Sequence, residues 1–201
     1  MENDAAVKHK PVPIYATREE WLVALVESLR PMFQEAGYEI PAVRISCSWP
    51  SASIRKRLGE CWHSKAAKDG SRHVFITPRI EEPLAVADVV IHELLHAALP
   101  DGTGHRGPFR QGMKKLGLGG KPTSTNMGAE LTARVNVLLE SLGEYPHSAL
   151  RLKDMVTKKQ GTRMLKLECP GCGYVIRTTA KWIETGVPVC AACKQGFEPC
   201  S

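Results

Sequence analysis

No apolar run in the 201 residues approaches the roughly 18–20 that a bilayer crossing takes, which excludes a membrane-spanning helix. The polar opening Met1-Glu2-Asn3-Asp4 continues into Lys and Pro with no apolar segment, so the chain is expected to be cytoplasmic and not secreted. Collagen-like, coiled-coil and short-period repeats are absent as well, and repeat architectures go with them. The first three quarters of the chain also carry almost no net charge. Residues 1–150 hold 18 Lys and Arg against 17 Asp and Glu, whereas residues 151–201 hold 9 against 4. Most of the formal +6 therefore sits in the last quarter, where it is either a solvated tail or the contact surface for an anionic partner.

What is present is a globular composition, 43% hydrophobic and 24% charged, long enough for one domain and a small module. Four of the seven cysteines fall in two C-x-x-C pairs, Cys169 with Cys172 and Cys190 with Cys193. Thiols so spaced can share one metal ion, and without a leader they read as a structural zinc site in a reducing compartment. Cys47 and Cys61 lie in strand-like stretches as candidate buried thiols, and Cys200 is left over.

The pattern along the chain predicts an α+β fold. Residues 1–16 carry no periodicity and read as a flexible arm. Thr17-Arg18-Glu19-Glu20 offers a capping residue and first-turn acids, and Trp21, Leu22, Leu25, Val26 and Leu29 then recur at helical spacing up to Gly37. Three short strands follow: Val43 to Cys47, Gly59 to Ser64, and Arg72 to Thr77, the last two joined by a turn at Asp69-Gly70. Pro83 opens a long apolar helix running to about Leu99, where Pro100-Asp101-Gly102 ends it. A short helix near Phe109 to Leu116, a loop over Gly117 to Thr125 and a helix from about Asn126 to Leu142 complete a domain over residues 17–150. Residues 151–165 read as a basic linker, and 166–201 as the cysteine module, with Lys181-Trp182-Ile183 as one of its short strands.

The long helix contains His92-Glu93-Leu94-Leu95-His96. Residues four apart share a helix face, so both imidazoles can reach one ion, with Glu93 beside it. Two histidines and a glutamate in so apolar a helix would be costly to bury unpartnered. A catalytic zinc takes three protein ligands and keeps one position open. The third must come from elsewhere: His105, which Pro100 and the glycines at 102 and 104 allow to turn back, or Glu130 on a later helix, as a ligand or as an acceptor for an imidazole N–H. Tyr145 is a candidate oxyanion donor by its phenol alone, and packing is the simpler role for it. His73 and His63 read as strand-face residues. Arg55-Lys56-Arg57 reads as a solvated connection. The strand His73 to Thr77 is either at the sheet edge, where an extended substrate could pair with it, or an ordinary buried strand with no free edge.

These residues resemble the SprT-like zinc metalloproteases. The likeness rests on His92-Glu93-Leu94-Leu95-His96-Ala97, on Gly104-His105 with Phe109 four residues further on, on the Gly59-Glu60-Cys61 strand and on the four-cysteine ribbon, and it covers roughly residues 17–200. Arg106 stands where that family usually has Gly. The resemblance implies a zincin-like protease domain with a small three-stranded sheet, catalytic zinc on His92, His96 and His105, and Glu93 as the acid/base that activates a zinc-bound water. It also implies proteins crosslinked to DNA as the substrate class. The ribbon, with Arg177 and Lys181 for phosphate and Trp182 for stacking, is then a DNA contact, unless it only packs on the protease or binds a protein. A non-enzymatic nucleic-acid-associated zinc protein and another zinc hydrolase are the competing functions. An intact Glu93 disfavours the first, since a structural site needs no base.

Overall fold

The computed structural model describes residues 14–152 and 164–200. The arm expected over residues 1–16 and the linker expected over 151–165 lie mostly outside them. The chain divides into two compact units, Met1–Lys153 and Asp154–Ser201.

In the first unit Thr17 caps helix α1 (Arg18–Glu35). Its hydroxyl accepts from the Glu20 N–H while the Glu20 carboxylate receives the Thr17 N–H, so two orphan donors of the first turn are satisfied. Strand β1 (Val43–Cys47), strand β2 (Gly59–Trp62) and strand β3 (Arg72–Ile76) form one sheet in the order β1-β3-β2. β3 runs parallel to β1 and antiparallel to β2. Of the two placements open for the strand from His73, the buried one is observed: it is central and has no free side. β1 and β2 are the edges, because the chain returns between them to pair with both.

Helix α2 (Pro83–Ala98) starts with proline at its first turn, where the missing N–H costs nothing. It is followed by helix α3 (Gly107–Leu116), strands β4 (Leu118–Lys121) and β5 (Ser124–Met127), and helix α4 (Ala129–Leu142). β4 and β5 pair as a hairpin. The stretch expected as a loop from Gly117 is thus a hairpin, and α4 begins three residues later than expected, because Asn126 is held in β5 opposite Gly119. Val86, Val90, Ile91, Leu94 and Leu95 of α2 are fully buried against Ile45, Val74 and Ile76 of the sheet and against Leu22, Leu25 and Leu29 of α1. Each such side chain contributes about 1.5–3 kcal/mol. The helix bearing the two histidines is therefore the centre of the core.

The second unit has strands β6 (Leu165–Glu168), β7 (Val175–Thr178) and β8 (Glu198–Pro199) in the order β7-β6-β8, and a helix α5 (Ala180–Thr185). Lys181, Trp182 and Ile183 are thus helical and not a strand: Thr179 enters extended and the turn closes from Trp182 N–H to Thr179 C=O. Leu167, Phe197, Cys169 and Cys190 form its small core. Among the described residues, no helix is long and apolar enough to cross a membrane.

Candidate metal centres

His92 and His96 stand one turn apart on α2, and the loop after that helix brings His105 onto them. Its Nε2 lies 3.2 Å from His92 Nε2 and 3.1 Å from His96 Nε2. The reversal uses left-handed backbone at Gly102 (φ +83°) and Gly104 (φ +58°), which glycine adopts without penalty. Asp101, in the same loop, is tied to the sheet: Arg72 Nη1 lies 2.7 Å from its carboxylate and Ser64 Oγ donates at 2.9 Å, while Arg72 Nη2 donates to Leu99 C=O at 3.0 Å. The ring of Phe109, fully buried on α3, stacks on His96 at 4.3 Å and meets His92 edge-on at 5.1 Å. Thr125 Oγ1 of β5 sits 2.9 Å from His92 Nδ1 and holds that ring by its far nitrogen.

Burial depresses all three imidazoles, His92 to about 4 and His96 to about 3, and neighbouring histidines add to the effect on those two. They are neutral near pH 7, with lone pairs available. Metal–nitrogen bonds of about 2.0–2.1 Å in a tetrahedral site put ligand nitrogens roughly 3.3 Å apart, close to the separations here. The donor set fits a metal ion. Glu130, the rival third ligand, is exposed in the first turn of α4 and does not join the group.

Glu93 faces the same cleft, of about 750 Å³, whose walls are Lys56 to Cys61 and His63 on one side and Thr123 to Thr125 on the other. Burial, with the Glu60 charge adding, pushes its carboxyl up to about 8; the Arg57 charge and the Cys61 backbone N–H offset only part. A Cβ at Gly59 would fall 2.7 Å from Glu93 Oε1, so only glycine lets β2 lie this close to the acid. His63 is not on a strand face: it follows β2, lines the cleft, and places Nδ1 3.3 Å from Asp101. His73 is on a strand face, in β3. Tyr145 is 5% exposed, packed at 4.9 Å against Trp21 with the rings tilted by 52°, and is no part of the cleft wall. Arg106 occupies the N-cap position of α3 in extended backbone (φ −111°), a conformation that needs no glycine.

In the second unit Cys169, Cys172, Cys190 and Cys193 converge, with the sulfurs of Cys172 and Cys190 3.7 Å apart. Zinc–sulfur bonds of about 2.3 Å imply roughly 3.8 Å between thiolates, so this group also fits a metal ion. Each pair sits on a backbone knuckle: Gly173 N–H donates to Cys169 C=O and Lys194 N–H to Cys190 C=O, both at 2.8 Å. Arg177 and Trp182 are exposed, and Lys181 Nζ lies 5.2 Å over the Trp182 ring.

Asp101, Arg72 and Thr125 belong to no motif, and so the sequence alone does not single them out. The Asp101-Gly102 turn is the only signal near any of them. No family model, curated protein or solved structure matches the chain.

Proposed function

We propose that the chain is a zinc endopeptidase of the SprT-like kind, with a zincin-like catalytic unit, cleaving proteins bound or crosslinked to DNA. The observation that carries this reading is the convergence of His105 on His92 and His96, 3.1–3.2 Å between nitrogens, in a cleft shared with the buried carboxyl of Glu93. His92, His96 and His105 would hold the zinc, which when bound would acidify a water and polarise a peptide carbonyl. Burial holds the Glu93 carboxyl at about 8, and the positive charge of a bound zinc would lower it, so that Glu93 could take a proton from the attacking water and return it to the leaving amine. β2 is an edge strand along the cleft wall, so an extended substrate segment can add to its free backbone groups. Such pairing selects for unfolded chain and tolerates many sequences. Cys169, Cys172, Cys190 and Cys193 would hold a second, structural zinc, closed to substrate by its four thiolates. In this reading the ribbon offers DNA the side chains of Arg177, Lys181 and Trp182.

The test is cleavage of a protein bound to DNA by the full chain and by Glu93→Gln. The variant should keep its metal and its fold and lose at least about 10²-fold in rate, the amount general acid–base catalysis typically supplies. An unchanged rate would remove Glu93 from the chemistry.

A further inference from the structure

The three-stranded sheet buries one face and leaves the other without a partner among the described residues. Ile45, Val74 and Ile76 point into the core. The alternate positions share the outer face, and register places Arg44 and Trp62 on either side of His73, with Ser46 and Glu60 on either side of Phe75. Trp62 is 42% exposed, and neither it nor Phe75 belongs to the core. The rings form a row: Trp62 meets Phe75 edge-on at 6.3 Å, and His73 lies 6.2 Å from Phe75.

Positive charge is concentrated in the segment that contains β1, β2 and the loops leading up to β3. Residues 44–70 hold six Lys and Arg against two Asp and Glu, whereas the rest of residues 1–150 holds 12 against 15. Both acids are already paired, Glu60 with Arg57 at 2.7 Å and with the Ser51 N–H at 2.8 Å, and Asp69 with Arg44 at 2.6 Å. Those same contacts tie the basic loops at the two ends of β2 to the outer face. Arg55, Lys65 and Lys68 remain exposed, with no ion pair among the described residues, whereas Lys56 belongs to the cleft wall.

An acidic peptide would use the cations but not the rings, and an apolar peptide the reverse. A polyanion carrying flat, unstacked rings at regular intervals uses both. A duplex keeps its bases stacked inside and cannot. We propose that the outer face of this sheet is a binding surface for single-stranded DNA, separate from the ribbon. The choice of DNA over RNA rests on the function proposed above; the binding itself stands on the sheet and needs no metal. Because β2 carries Trp62 on this face and also borders the cleft, a strand lying here holds any protein fixed to it beside Glu93.

The experiment measures anisotropy of a fluorescent oligothymidylate of about 20 nucleotides with the full chain carrying Glu93→Gln, so that proteolysis cannot alter the result. Trp62→Ala should weaken binding about 5-fold or more, the usual loss for one stacked base, and Trp62→Phe should restore most of it. Lys65→Gln with Lys68→Gln should flatten the slope of log affinity against log salt by about 1.4, since each single-strand phosphate contact contributes about 0.7. All three positions are exposed, and circular dichroism checks that the variants fold. Unchanged affinity and slope in these variants, with binding abolished by Arg177→Glu and Lys181→Glu, would confine the contact to the ribbon and overturn the proposal. So would a Trp62→Ala chain that loses affinity for reduced, carboxymethylated protein but not for the oligonucleotide.

Discussion

Asp88 lies one turn before His92 on α2 and lines the same cleft, with one carboxylate oxygen buried and unpaired. Burial pushes its carboxyl up from 3.8 to about 6, and a bond from the Met127 backbone N–H offsets only part. Between those values the folded chain keeps a proton that the unfolded chain has released. Stability therefore falls as pH rises through that interval and is level above it. Asp88→Asn keeps the shape and removes the charge. Its melting temperature should exceed that of the parent by a few degrees at about pH 8 and match it at about pH 3.5, by differential scanning calorimetry. Equal shifts at both pH values would mean that packing, not charge, is responsible. At this scale the histidines and Glu93 were legible because their four-residue spacing is meaningful only on a helix. Asp88, Asp101 and Thr125 were not, since each matters through a neighbour distant in sequence.

Arg72 of β3 joins the end of α2 and the loop after it through Leu99 C=O and Asp101, and that loop delivers His105. The sheet thus sets the position of a residue on a segment with little packing of its own. Arg72→Gln and Asp101→Asn should each raise the metal dissociation constant of the histidine site by about 10-fold or more, in the range found when groups supporting metal ligands are removed. Chelator competition measures this, with the four-cysteine site as internal reference. If the constant is unchanged in both variants, the loop holds His105 without the clamp. Helices α1 and α2 could be read from caps and apolar spacing because both signals are local. The hairpin β4–β5 could not, because Leu118-Gly-Gly-Lys and Ser-Thr-Asn-Met alternate few apolar residues and only Leu118 is buried. The central place of β3 was illegible for another reason: strand order in a sheet with a parallel pair is decided by the crossover, which leaves no local mark. In α5, Trp182 and Ile183 favour strands by type, and the Thr179 turn overrides that preference.

Across the whole molecule, side-chain counts proved a poor guide to surface. A net charge of +1 over residues 1–150 conceals a basic segment over residues 44–70 and an acidic remainder. Two candidate metal sites lie in separate units and differ in chemistry, three neutral imidazoles in a cleft with a carboxyl beside them and four sulfurs on two knuckles. Open and closed donor sets of these kinds suit catalysis and structure respectively. The account depends on His105 completing the first of them. Zinc content per purified chain, measured by mass spectrometry, tests that most directly. It should be two for the parent and for Glu130→Ala, and one for His105→Ala. A His105→Ala chain that still holds two ions, or a Glu130→Ala chain that holds one, would contradict it.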